Sequence, residues 1–419
     1  MNHSDLILFF LQLAVMLTFA LVFGQLMHKL HQPVVLGELI GGVVLGPTVL
    51  GLLFPNTYDW LFPDSPALVL ARSSVIWLGI AFFMFVAGLE VDLNHLRQRG
   101  LSTVLISLFG VAVPFGLGFM AVLLWPGLWG VEAKTELLTF GLFIGAALSI
   151  SALPVIARTL ADLGLLIKEV GTIIMVAATV NDLIGWSLFA VILSNLNAVD
   201  QPGQDLWNRL GFTLLMFVVI IGAGRWMGGR GLPWVRAKLT WPGGFIGVTA
   251  VVVLAAAAAT EAVGVHAFFG AFLIGVGLRL SVEKPHDVYK PIEQFAVSFL
   301  APIYFVSIGL QANFALNFDW QLVLLVIMVA SAGKVGGASL AARWSGMSLT
   351  QALVIGFGLN ARGAMEIILA SIALEYGLID QRVFVALVTM ALVTSILSGP
   401  VIKGLMMKTG PPGVETGSS

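Results

Sequence analysis

From about residue 5 to about residue 407 the chain is a near-unbroken succession of apolar runs, each roughly 17–25 residues long, the length that crosses the hydrocarbon core of a bilayer. About thirteen such spans can be drawn, near 5–28, 33–54, 69–90, 100–126, 136–162, 168–195, 205–224, 241–262, 264–281, 290–311, 319–343, 349–375 and 382–407. With 419 residues, 58% of them hydrophobic, and 10% charged against about 25% in soluble domains, the chain is an all-α polytopic membrane protein and not a large soluble core. The eighth and ninth spans are the hardest to divide, since only EAVGV separates two apolar runs.

Loop charges check the count. With the N-terminus outside, the connections assigned to the cytoplasm collect about fifteen Lys and Arg residues, Arg225, Arg230, Arg236 and Lys238 among them. The outer connections hold only Lys134, Arg209 and Arg382. The positive-inside rule therefore requires an odd number of spans, with the N-terminus outside and the C-terminus cytoplasmic.

Thirteen spans divide as six, one linker and six. Two six-helix halves on either side of an odd helix lie in opposite orientations, the inverted-repeat plan of secondary transporters. That plan predicts broken helices at corresponding positions, seven spans apart. The fifth span holds Ser149-Ile-Ser-Ala-Leu-Pro154, and the twelfth holds Gly356-Phe-Gly-Leu-Asn-Ala-Arg-Gly363. Proline removes a backbone donor and clashes with the preceding turn, and a Gly/Asn cluster loosens a helix. Pro154, Asn360 and Gly363 thus mark two breaks, and unwound backbone at that depth is tolerated only where it is buried in protein or lines water.

The sixth span, MVAATVNDLIGWSLFAVIL, carries Asn181 and Asp182 side by side in apolar surroundings. A carboxylate at that depth costs on the order of 3 kcal/mol. Asp182 is therefore the candidate site for a small cation or a proton. Ser149, Ser151, Thr179 and the carbonyls at the breaks are candidate ligand oxygens. Lys334, Arg362 and Glu366 are the other deep charges, and with Asp182 their formal charges sum to zero. Lys334 stands in SAGKVGGAS, whose small residues admit a close helix neighbour, so its ammonium should reach Asn181 or Asp182. A structural counter-charge and direct participation in coupling both remain open for Lys334. Arg362 and Glu366, four apart on one helix, are read as an internal pair that pins the broken helix. Glu38 is read as a satisfied polar contact, Glu261 and His266 as a cap or interface, Arg72 as a snorkelling side chain, and His28, His31, His95 and His286 as solvated loop residues.

Other chemistries are poorly supported. The net charge is −1, which leaves no basic surface for nucleic acid, and there is no cysteine. No nucleophile–base spacing or phosphate loop appears, and no cofactor or enzyme activity is expected. The last residues, 410–419, are polar and expected to be disordered.

Several segments in register carry a resemblance. SISALPVIARTLADLGLL followed by ATVNDLIGW resembles the fifth and sixth helices of the monovalent cation:proton antiporter-2 family, in particular its plant-type cation/H+ exchanger branch. HQPVVLGELIGGVVLGPTVLG is similar to that family's second helix, FFMFVAGLEVDL to its third, GVHAFFGAFLIGVGL to its ninth, and GLNARGAMEIIL to its twelfth, where the basic position is often lysine and here is Arg362. The resemblance implies a homodimeric sodium/proton antiporter-like fold in a bacterial inner membrane, with residues 1–409 as one transport unit. Scaffold spans would cover about 5–90 and 241–311, mobile core spans about 100–195 and 319–407, and the linker helix about 205–224. Asp182 would bind ion and proton, with Asn181 beside it and Lys334 as the basic residue of the eleventh helix.

Two departures from the family pattern matter. Members with an Asp-Asp pair are associated with electrogenic exchange, whereas Asn181-Asp182 offers one titratable carboxylate, so electroneutral exchange is expected. Gating by the cytoplasmic regulatory domain of many relatives is not expected. The expected function is exchange of Na+ or K+ for H+ by elevator-type alternating access. The rivals are a cation channel or ligand-gated K+ efflux pathway, and a transporter-like sensor.

Overall fold

In the computed structural model the described residues are 3–30, 32–91, 101–131, 134–166, 168–196, 206–240, 243–262, 266–281 and 285–407. Among them every regular element is helical. The expected tail at 410–419, and His31 and His95, lie outside the described residues, as does the side chain of His286.

Nine helices among the described residues are long and apolar enough to cross a membrane. A tenth span is the pair Leu349–Leu359 and Ala364–Glu375, bent by 42° at a break. Three further expected spans fall on Lys134–Ser149 with Leu153–Asp162, on Leu206–Trp226, and on Ala267–Arg279. The first is interrupted by unwound backbone and the last is 13 residues long, so neither presents one long apolar helix.

The chain divides into two compact units, residues 1–94 with 187–316, and residues 95–186 with 317–419. In the first, His3–Lys29 packs on Val34–Leu45, which packs on Ala301–Gln311. Backbone contact is what this packing demands: a Cβ at Gly42 would stand 2.1 Å from the Val306 carbonyl oxygen, and one at Gly309 would stand 2.3 Å from that of Leu39. Small residues let helices approach closely where no hydrophobic force drives them together in lipid. Pro66–Glu90 packs on Ala267–Arg279, which also meets Leu206–Trp226 and Gly243–Ala262. Polar groups in this unit are tied to backbone. Gln12 donates to the Leu61 carbonyl at 2.7 Å, and the Thr48 hydroxyl donates to Ala312 O at 2.8 Å while accepting from Phe314 N at 3.0 Å.

Expectations for the outlying charges can be placed here. Glu261 accepts from the Ala267 amide at 2.7 Å, at the start of the next helix, with buried His266 3.8 Å away. Arg72 lies over the Phe62 ring at 5.6 Å, and Glu38 is buried.

In the second unit, Trp320–Trp344 is the central helix. It packs on Leu101–Leu124, Leu349–Leu359 and Gln381–Met407. Its entry is fixed by Asp319, whose carboxylate accepts from Gln321 N at 3.0 Å and Leu322 N at 3.2 Å. Leu349–Leu359 begins with a capping box of Ser348 and Gln351. The starts of these two helices are therefore locally specified.

Candidate functional site

The site is built inside the second unit, where the two breaks meet. Helix Lys134–Ser149 stops, three residues run unwound, and Leu153–Asp162 resumes with proline in its first turn. Proline suits that place because the first amides of a helix have no intrahelical acceptor. The other break runs over residues 360–363, between Leu349–Leu359 and Ala364–Glu375. The segments bond to each other: Ala152 N donates to Ala361 O at 3.0 Å, and the Ser151 hydroxyl donates to Leu359 O at 2.9 Å. Each break thereby satisfies backbone groups the other leaves open, as a buried irregular backbone requires.

Asp182 stands near the middle of Glu169–Leu196, buried against this crossing. Its Oδ1 accepts from the Ser151 amide at 3.3 Å. That amide lies just ahead of helix Leu153–Asp162, whose N-terminal end adds partial positive charge beside the carboxylate. Asn181 is fully buried next to it. Its amide orientation follows from its neighbours: nitrogen toward Ser107 O at 2.9 Å and Ala177 O at 3.0 Å, oxygen toward Lys334 Nζ at 3.1 Å.

The cations are placed differently from one another. Lys334, with no exposed surface, donates to the carbonyl of Ser149 as well as to Asn181. It enters the core because Gly333 packs on Pro114, where a Cβ would come within 2.6 Å of the proline Cα. The expected reach to Asn181 is present. Arg362, equally buried, pairs with Glu366 at 2.8 Å. It also donates to Leu148 O at 2.7 Å, Ala147 O at 3.3 Å and Ala330 O at 3.5 Å. Carbonyls 147, 148 and 149 end helix Lys134–Ser149, and the last carbonyls of a helix have no intrahelical donor. Two buried cations thus cap one helix C-terminus, the end where the macrodipole is negative.

The remaining candidates are placed as follows. Ser149 Oγ donates to Gly145 O at 2.7 Å and Val111 O at 3.1 Å, and Thr179 Oγ1 donates to Met175 O at 2.9 Å. These hydroxyls spend their protons on carbonyls and keep lone pairs. Asn360 donates to Ser331 Oγ at 3.3 Å while its Oδ1 is buried without a partner among the described residues. Gly363 opens the second half-helix. Sequence reasoning did not single out Ser107, Ser331 or Ser395. Ser395, from the last helix, donates to the Arg362 carbonyl. Its spacing carries no signal, because serine hydroxyls in helices ordinarily bond within their own turn. Ser331 could have been noticed, standing three residues before Lys334 on the same helix.

The Asp182 carboxylate, with amide and hydroxyl dipoles at the crossing, offers hard oxygen donors without soft ligands, suited to a hard cation or to a proton. The family model described as sodium/hydrogen exchanger, transmembrane, matches residues 14–408. The Na(+)/H(+) antiporter NhaS4 of Synechocystis is 32% identical over 96% of this chain and 98% of its own length. Cation/H(+) antiporter 17 of Arabidopsis thaliana is 33% identical over 94% of this chain and 48% of its own, so the chain spans about half the length of the plant relatives it matches. The sodium proton antiporter MjNhaP1 of Methanocaldococcus jannaschii superposes with a TM-score of 0.66 at 15% identity, over 96% of this chain and 99% of that one. These relatives are transporters and not enzymes. On the family match over nearly its whole length, and on the identity it shares with full-length relatives, this chain is an integral membrane protein that belongs to the sodium/hydrogen exchanger family.

Proposed function

We infer that the protein is a secondary active antiporter that exchanges Na+ or K+ for H+, with Asp182 as the shared site. The observation that carries this reading is the Asp182 carboxylate set on the Ser151 amide, where the two helix breaks cross. A carboxylate there can hold a cation or a proton but not both, because each neutralises the charge that attracts the other. Protonation expels the cation, and the cation expels the proton. With either one bound, the charge is compensated and the site can pass a hydrophobic barrier; a bare carboxylate is costly to move.

Transport is elevator-like in this reading. Residues of the second unit move as the core, those of the first stay as the dimeric scaffold, and Leu206–Trp226 links the repeats. The names of relatives support both cations: NhaS4 is a Na(+)/H(+) antiporter, GerN of Bacillus cereus, 29% identical, is a Na(+)/H(+)-K(+) antiporter, and K(+)/H(+) antiporter 1 of Saccharomyces cerevisiae is 29% identical. The chain would sit in the cytoplasmic membrane with its C-terminus inside. A channel finds no comparable support, since it needs neither a competing proton nor a mobile core.

The test is purified protein in liposomes with an imposed pH gradient. Addition of Na+ or K+ should collapse the gradient with wild type and leave it standing with Asp182→Asn. Collapse by the variant at the wild-type rate would remove Asp182 from its role.

A further inference from the structure

A cavity of about 480 Å³ lies wholly within the first unit, far along the chain from the crossing breaks. Its volume falls in the range of roughly 300–1,000 Å³ typical of small-molecule sites. One wall is the end of helix Leu206–Trp226, where the backbone widens into a single π-turn, Met227–Gly231. Such turns are rare and concentrate at functional positions. The opposite wall is the start of helix Gly243–Ala262, through Phe245, Val248 and Val252. Buried Tyr289 and Leu278 close the bottom.

Two features assign an occupant. The wall is largely apolar over the depth of one leaflet: the nine steps from Gly243 to Val252 rise about 14 Å along a helix, against about 15 Å for half of a hydrocarbon core. The mouth is cationic and aromatic. Arg230 lines it, Trp226 and Trp234 flank it at 59% exposure each, and Arg225 and Lys238 are exposed nearby in sequence. No carboxylate is among the described residues that line it. Tryptophans of this kind sit at headgroup level, and basic pockets beside membrane helices recognise anionic headgroups. An empty groove would forfeit dispersion contacts along its whole length, so the bilayer itself supplies the chain that fills it.

We propose that this cavity is a binding site for one anionic phospholipid, with an acyl chain laid along Val248–Val252 and the phosphate held by Arg230. The lipid bridges the helix that joins the two halves of the sequence to the helix that follows it.

The test uses the full chain in nanodiscs. Phosphatidylcholine discs would be doped with brominated phosphatidylglycerol or brominated phosphatidylcholine. Quenching is taken as the difference between wild type and Trp226→Phe/Trp234→Phe. The charged lipid should quench this pair at about fivefold lower mole fraction, the preference that one arginine near a surface supports. Arg230→Gln should abolish the preference without changing quenching by phosphatidylcholine. Equal quenching by the two lipids, or a preference that survives Arg230→Gln, would overturn the proposal. If the double tryptophan variant does not fold, native mass spectrometry of wild type and Arg230→Gln decides. Retention of one phosphatidylglycerol by wild type alone supports the site, and equal retention refutes it. Antiport failure does not enter the readout, so this result and that for Asp182 stand or fall separately.

Discussion

The guanidinium of Arg362 donates to the carbonyl of Leu148 at 2.7 Å, joining residues 214 positions apart. With Lys334 on the next carbonyl, Ser149, the end of one half-helix is closed by one charge from helix Trp320–Trp344 and one from the unwound segment 360–363. The deep cations of this chain are thus occupied with backbone, and the deep carboxylates differ accordingly. Glu366 is matched to Arg362, while Asp182 faces the unwound segment.

Arg362→Met should destabilise the protein by about 3–5 kcal/mol, since it strands a buried Glu366 and uncaps two carbonyls. The double change Arg362→Met/Glu366→Met should cost less than the sum of the single changes, because the stranded carboxylate is gone. Thermal unfolding in detergent across the four proteins measures the coupling. Strict additivity would mean the pair contributes nothing jointly.

Lys334→Met should lower stability by about 1–3 kcal/mol, the cost of leaving the Ser149 carbonyl and the Asn181 amide oxygen unmatched. If capping is its whole role, the residual exchange keeps its wild-type pH midpoint. A midpoint displaced by about one unit or more would instead assign Lys334 a share in proton binding.

Ser151→Ala should leave exchange in place. The group that meets Asp182 is the backbone amide, which alanine retains, whereas the hydroxyl bonds Leu359 O. Stability should fall by about 1 kcal/mol, the net value of one such bond. Loss of exchange equal to that of Asp182→Asn would make the hydroxyl an ion ligand.

A single titratable carboxylate predicts one charge out for one charge in. Exchange rates in liposomes should be unchanged when a membrane potential is imposed, although one charge crossing 100 mV is worth about 2.3 kcal/mol. Acceleration by one polarity and slowing by the other would show net charge movement.

Gly42→Ala should destabilise the first unit by about 1–3 kcal/mol, since the added methyl would meet the Val306 carbonyl at 2.1 Å. Gly116→Ala, with nothing within 4 Å, is the control and should be neutral or slightly stabilising. Equal melting temperatures for the two variants would contradict the packing.

Much of this was legible in the sequence, for identifiable reasons. A bilayer imposes a length on every crossing, so the spans announce themselves. Pro154 and the Asn360–Gly363 cluster announce the breaks, because their backbones cannot continue a helix unaided. Asp182 announces itself by its cost. The arginine–glutamate pair was readable from its four-residue spacing. The capping of residues 147–149 was not, because carbonyls are common to every residue and only the fold decides which are orphaned. Ser395 was missed for the same reason, since it bonds the distant Arg362 carbonyl, whereas Ser331, three residues before Lys334 on the same helix, was within reach of the sequence. The number of spans was hardest where a helix is short, as in Ala267–Arg279, since protein rather than lipid sets its length.

The bonds from Ala152 to Ala361 and from Ser151 to Leu359 splice the weak point of one half of the sequence to that of the other. Neither segment can be exposed to water while its mate stays closed. Amide deuteration should therefore report residues 150–153 and 360–363 as one cooperative opening with a shared rate, although more than 200 residues of chain lie between them.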